Sequence, residues 1–439
     1  MAAKQGHPPG LYVLFAVEAW ERFCYYGMRA ILVLYMVKYM FYDPAAATDP
    51  EVQAAITGKA GDIYGWFTGL VYMTPVIGGY IADRWWGQRR SIIVGGVLMG
   101  AGYFLMAVPH LAFFYVALGV VIVGNGFFKP NISTIVGQLY TENDPRRDGA
   151  FTIFYMGINL GAIFSPLVCG TLGQNVGWHW GFIAAGVGMI ISLIIYFLFQ
   201  HHLGDVGKVA SYKNRNLEEK DTPLTREEIH RIMVIFVLAF FVIFFWVSFE
   251  QAGSSLTLFA DRSTNRMIWG FEVPASWFQS ANPIFIVLLA PIFSRVWVWL
   301  GERNMDPTSP VKMGVGLLLA AASLAIMIPA SMLATGGDKV SMLWLWGVYF
   351  TFTVGEICLS PIGLSMVTKL APAKFLSLCM GVWFLSNFAS NLLAGKIAGM
   401  YDNVEMTTFF MYLALVSGVG GIVLLIFSPL IKKGMHGRG

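Results

Sequence analysis

Long apolar runs separated by short polar breaks set the architecture of this chain. Twelve runs are long enough for a helix to cross a hydrocarbon core of roughly 30 Å. They cover 11–40, 62–82, 91–109, 112–138, 149–172, 180–200, 231–259, 278–299, 312–333, 341–368, 374–400 and 406–430. Several contain a proline, such as Pro75, Pro130, Pro166, Pro283 and Pro361. A spanning helix tolerates proline where neighbouring helices or cavity water satisfy the released backbone groups. The longest polar stretch, 201–230, divides the runs six and six. The expected fold is therefore an all-α polytopic membrane protein. It has one six-helix bundle over 1–200, a cytoplasmic linker over 201–230 and a second six-helix bundle over 231–439. Paired six-helix halves suit a transporter that rocks about a site near the membrane midplane.

An even number of spans places both termini on one side, and the basic residues indicate which. With the termini cytoplasmic, inner loops and ends hold twenty of the 29 Lys and Arg, against four (Lys59, Arg262, Arg266, Lys339) outside. Cytoplasmic loops of membrane proteins carry this excess. The first run contains charges and reaches about thirty residues, which makes it a spanning helix rather than a signal segment. A bacterial inner membrane with both termini inside is the expected location.

Composition narrows the class further. The chain is 56% hydrophobic and 12% charged, with a mean hydropathy of +0.63, whereas a soluble domain carries about 25% charged residues. Too little polar surface remains to cover a soluble globule, so the exterior should face lipid. Cys24, Cys169, Cys358 and Cys379 sit singly in apolar runs without metal-ligand spacing. Neither a nucleophile elbow nor a histidine-rich metal motif occurs. An enzyme, a resident cofactor and a nucleic-acid partner are therefore not expected.

The chemistry lies in charges where hydrocarbon should be. The first run carries Glu18, Glu21, Arg22 and Arg29; the fourth carries Lys129, the seventh Glu250 and the tenth Glu356. Such residues are costly in a bilayer and face a cavity or a partner. Arg29, Lys129, Glu250 and Glu356 fall near the centres of their runs, the cations in the first half and the carboxylates in the second. An ion pair between halves would hold a gate shut, and protonating the acid would release it. Static pairing that only offsets desolvation is the alternative. The mixed signs argue against a channel ring of one charge. Glu18, Arg22, Tyr25, Tyr26 and Arg29 share one helix face. Tyr26, Tyr64 and Tyr72 can donate hydrogen bonds, and Arg29 suits a substrate carboxylate. Asn159 and Asn282 can bind a peptide backbone or join two helices. Trp383 either walls a cavity or packs. All seven histidines fall in loops or at run ends, so any driving proton must be carried by carboxylates.

The stretch Glu18-Ala-Trp-Glu21-Arg22-Phe23-Cys24-Tyr25-Tyr26-Gly27 resembles the E-x-x-E-R-F-x-Y-Y-G signature of the proton-dependent oligopeptide transporter family of the major facilitator superfamily. G-G-Y-I-A-D-R, Lys129-Pro130-Asn131, F-Y-M-G-I-N at 154–159, F-E-Q at 249–251, N-P at 282–283 and G-E-I-C-L-S-P-I-G-L at 355–364 follow in the family's order. The resemblance implies import of di- and tripeptides driven by a proton gradient. It implies cross-bundle gating pairs Arg29–Glu250 and Lys129–Glu356, with Glu18, Glu21 and Arg22, together with Glu250, in proton coupling. Tyr26, Tyr64, Lys129 and Asn159 would receive the peptide's C-terminal side. Asn282 and Glu356 would form the opposite wall, Glu356 facing the amine, and Trp383 would be a pocket aromatic.

Two departures stand out. Many bacterial members carry two extra helices between the bundles, for which 201–230 is too short, so twelve helices are expected. The midplane histidine of animal members is missing. Some plant relatives move nitrate but often lose the acidic pattern of the first helix, which is present here. A transporter of the same fold for nitrate, amino acids or peptide-like drugs is the rival reading. One chain contains both bundles, so a monomer in membrane lipid suffices.

Overall fold

The structure, a computed structural model, describes residues 6–141, 144–208, 224–372 and 375–437, with backbone only at 360–365 and 377. The centre of the expected linker, 209–223, and the side chains closing the 355–364 motif lie outside the described residues. The described residues form thirteen α-helices: α1 Pro9–Tyr35, α2 Pro50–Ile81, α3 Gln88–Met106, α4 Leu111–Gln138, α5 Arg147–Thr171, α6 Trp178–Phe199, α7 Arg226–Phe249, α8 Ser255–Arg262, α9 Ala281–Glu302, α10 Ser309–Thr335, α11 Leu343–Leu370, α12 Leu376–Ala398 and α13 Met406–Gly434.

The expected twelve-helix count is thus corrected. The single run 231–259 is broken by a 3-10 turn at Glu250–Gly253, and α8 follows as a separate helix. Ser254 leaves the helical region at φ −131° and ψ −96°. Side chains bridge the break. Gln251 Nε2 donates to Val247 O at 3.1 Å and to Ala394 O at 3.2 Å, while Ser255 Oγ donates to Gln251 Oε1 at 2.6 Å. A break at membrane depth survives where other groups satisfy the backbone. Average hydropathy does not register it. Two further features sit among the loops. Thr264–Asn265 pairs with Val340–Ser341, and Met267–Ile268 pairs with Phe271–Glu272 across Trp269 and Gly270, both at positive φ.

Among the described residues, eight segments are each long and apolar enough to cross a membrane. Helix α1 is not among them, because every 18-residue window in it contains Glu18, Glu21 and Arg22. The outer faces are apolar and exposed, as at Leu198 on α6, Leu288 and Ile292 on α9, and Ile426 and Leu430 on α13. This is the surface of a multi-pass membrane protein.

By internal contacts the chain forms two compact units. One contains residues 1–35 and 70–216, the other 36–69 and 217–439. In the first unit α1 packs on α5 and α6, and α3 on α4. Gly95 and Gly124 let α3 and α4 approach backbone to backbone: a Cβ on Gly95 would stand 2.6 Å from Gly124 O. In the second unit α10 packs on α13 and α11, and α7 on α12 and α13. Residues 50–69 of α2 also belong to the second unit and lie against α12.

Candidate functional site

Each unit holds a polar cluster, buried in the first and half-buried in the second. In the first, Glu18, Glu21 and Arg22 lie on successive faces of α1 and are almost fully buried, at 2%, 0% and 2% exposure. The guanidinium of Arg22 is shared. Its Nη2 donates to Glu21 Oε1 at 2.7 Å, its Nε contacts Glu21 Oε2, and the same Nε stands 3.2 Å from Glu18 Oε1. Arg22 also lies 5.3 Å from the ring centre of Tyr25 and 5.9 Å from that of Tyr26. The other Glu18 oxygen, Oε2, is buried with no hydrogen-bond partner among the described residues. Two carboxylates around one guanidinium leave the triad with a formal charge of −1, which one proton would cancel.

Other predicted site residues of this unit are placed as follows. Lys129 on α4 holds its ammonium 4.8 Å from the ring centre of Tyr72 on α2, a cation–π contact. Arg29 is buried near the end of α1. Asn159 is buried on α5 and donates to Tyr155 O at 2.9 Å, inside its own helix.

In the second unit the structure joins Asn282 of α9 to Glu356 of α11. Asn282 Nδ2 donates to Glu356 Oε2 at 2.8 Å and to Thr353 Oγ1 at 3.0 Å. The Thr353 hydroxyl in turn donates to Tyr349 O at 2.7 Å. Thr353 was not singled out from sequence; its position one turn before a carboxylate in a spanning helix is the signal that could have marked it. Glu250 is buried in the 3-10 turn after α7, a placement the helix break creates. Tyr64 on α2 and Trp383 on α12 are both buried. The backbone carbonyl of Trp383 accepts from Ser386 Oγ at 2.7 Å and Asn387 Nδ2 at 3.0 Å. Of the four gating candidates, Arg29 and Lys129 belong to the first unit, Glu250 and Glu356 to the second.

No group of His, Cys, Asp and Glu able to hold a metal occurs among the described residues. The arrangement instead holds negative charge in two places, one buried against an arginine and one half-buried against an amide.

Comparison with known proteins follows the same lines. The family model described as POT family matches residues 89–211 and 201–412. The chain is 38% identical to an uncharacterised transporter, YclF, of Bacillus subtilis strain 168, covering 98% of this chain and 96% of that one. It is 34% identical to a di-/tripeptide transporter of Lactococcus lactis subsp. cremoris, with the same coverage. A crystal structure of a peptide transporter POT in complex with sulfate superposes with a TM-score of 0.88 at 34% identity, covering 100% of this chain and 97% of the other. With the solved chain matched over nearly its whole length, the expected contrast with bacterial members, a bare twelve-helix layout lacking added helices, is corrected as well.

Proposed function

This chain belongs to the POT family, and on that premise we propose that it is a proton-coupled symporter importing di- and tripeptides by alternating access. The observation that carries the reading is the buried Glu18–Arg22–Glu21 triad inside a helix whose one other charge is Arg29. A chain keeps such a cost where the charges are used. The triad accepts a proton without a histidine, and Glu250 joins it in coupling. Arg29 with Glu250, and Lys129 with Glu356, act as gating pairs between a bundle over 1–200 and a bundle over 231–439. Protonation of the carboxylates releases them.

The peptide carries the same two charges as these pairs, so it can replace their partners. Its carboxylate goes to Lys129 and Arg29, beside Tyr26, Tyr64 and Asn159. Its amine goes to Glu356. Asn282 spends its amide N–H groups on Glu356 and Thr353, which leaves its carbonyl to accept from a peptide N–H. Trp383 is the aromatic wall. The proton gradient is the only driving agent, the protein works as a monomer, and it sits in a bacterial inner membrane with both termini cytoplasmic.

The test is uptake of a di- and tripeptide panel into proteoliposomes with and without an imposed proton gradient. The expected result is gradient-dependent accumulation that unlabelled di-alanine suppresses. Suppression by nitrate or free amino acids instead, with di-alanine inert, would overturn the peptide reading.

A further inference from the structure

Asp402, in the connection between α12 and α13, gathers donors from two distant parts of the chain. Arg262 Nη1, at the end of α8, donates to both carboxylate oxygens at 2.8 and 3.0 Å. Gln53 Nε2 on the first turn of α2 donates at 3.2 Å, and the Thr57 hydroxyl one turn on donates as well. The Arg262–Asp402 pair is only partly exposed, at 29% and 15%, so solvent screens it incompletely.

The same helix then runs along α12. A Cβ on Gly61 would stand 2.5 Å from Gly395 O and from Gly399 N, and one on Gly65 2.9 Å from Leu392 O. Further along, a Cβ on Gly69 would meet the Phe388 ring at 3.2 Å, and Trp66 packs edge-on to Phe388 at 6.1 Å. Glycines let the backbones touch, yet they leave few side chains to interlock across the seam. The polar side-chain hold lies at one end, in the groups around Asp402. By sequence α2 precedes the linker and α12 follows it, so this seam is one that alternating access has to open.

We propose that Asp402 is a positioning residue of the transport cycle. With Arg262, Gln53 and Thr57 it latches the first turns of α2 onto the α12–α13 corner, and releasing the latch lets the α2–α12 seam part. The inference rests on the alternating-access reading above, but its test needs no substrate. Asn391, on the seam, is 2% exposed. In an Asn391→Cys protein, maleimide labelling mapped by peptide analysis reports opening. The expected result is slow labelling with the latch intact and about tenfold faster labelling after Asp402→Ala, the scale of losing one partner of a partly buried charge pair. Asp402→Glu should restore the slow rate. Gly61→Val, which wedges the seam without touching the latch, should also speed labelling. An unchanged rate after Asp402→Ala overturns the proposal. So does simultaneous labelling of Cys24, which is fully buried in the other unit and would report general loosening. Absence of peptide uptake by the unmodified protein would overturn the proposed function and leave the labelling result standing.

Discussion

The two polar clusters carry the same formal charge and compensate it in different ways. In the first unit two carboxylates surround the Arg22 guanidinium. In the second, the Glu356 carboxylate is met by the amide of Asn282, itself tied to the Thr353 hydroxyl. An opposite charge in a low-dielectric setting binds far more strongly than a neutral donor. The α1 triad therefore behaves as one unit whose net charge is changed by a proton. The Asn282–Glu356 pair orients a carboxylate while leaving its charge uncancelled, so a cation such as a peptide amine can still be drawn to it. The difference suits the proposed division of labour, with the triad as the main coupling group and Glu356 facing the cargo.

The largest expected effect breaks the first side of this comparison. Glu21→Gln removes one of two negative charges and leaves Arg22 balanced by Glu18 alone. The triad is then neutral without a proton, and coupling has nothing to act on. Gradient-driven accumulation should fall on the order of 100-fold, the upper range of ordinary coupling energies, while counterflow exchange of peptide persists. Full accumulation by the variant would remove Glu21 from coupling.

Lys129→Ala comes next, because it removes the cation proposed to receive the peptide carboxylate. A charge-assisted hydrogen bond contributes about 1.5–3 kcal/mol, so dipeptide affinity should drop by roughly 10- to 100-fold. Counterflow and accumulation should fall together. Retained affinity in a binding assay would take Lys129 out of the pocket.

Asn282→Leu sharpens the second side. Glu356 keeps its charge but loses its orienting donor, and a neutral hydrogen bond contributes only about 0.5–1.5 kcal/mol. The apparent KM for dipeptide should rise up to about tenfold, with the dependence on the proton gradient preserved. A loss of coupling with unchanged KM would mean the two clusters are not divided by task.

How much of this was legible in the sequence differs between the clusters for the same physical reason. Glu18, Glu21 and Arg22 lie within five residues of one another, so helical spacing alone places them together. Asn282 and Glu356 are 74 positions apart; sequence placed both in spanning runs, but their contact depends on how α9 packs against α11. The helix break at Glu250–Gly253 was hidden because the apolar stretches on either side, 240–249 and 256–260, outweigh the polar residues between them. Residues 50–61 were read as loop because α2 extends beyond its hydrophobic stretch. Arg262 counted only as one of four outer-loop cations, with nothing to show that Asp402 would receive it.

The smallest expected effect lies outside both clusters and serves as their control. Between α4 and α5, Arg146 donates to Asp144 through Nε at 3.0 Å and through Nη2 at 2.7 Å, and its Nη1 reaches Gly6 O at 2.8 Å. His7 Nδ1 lies 2.8 Å from the Tyr140 hydroxyl. The Arg146 hydrogen bonds hold the Asp144 carboxyl down at about 2, from an ordinary 3.8. A carboxyl lowered by folding contributes stability above its unfolded value, and that contribution is lost as pH falls from about 4 through about 2. At neutral pH the contribution is fully present, and it is modest because the pair sits in a partly exposed loop. Asp144→Asn should therefore speed amide hydrogen exchange at Gly6 and His7 at pH 7 and leave peptide KM and proton dependence unchanged. At pH 2 the variant and the parent should exchange more nearly alike. A shift in proton coupling from this distant pair would show that charge anywhere in the first unit tunes the triad, and the assignment of coupling to Glu18, Glu21 and Arg22 would lose its specificity.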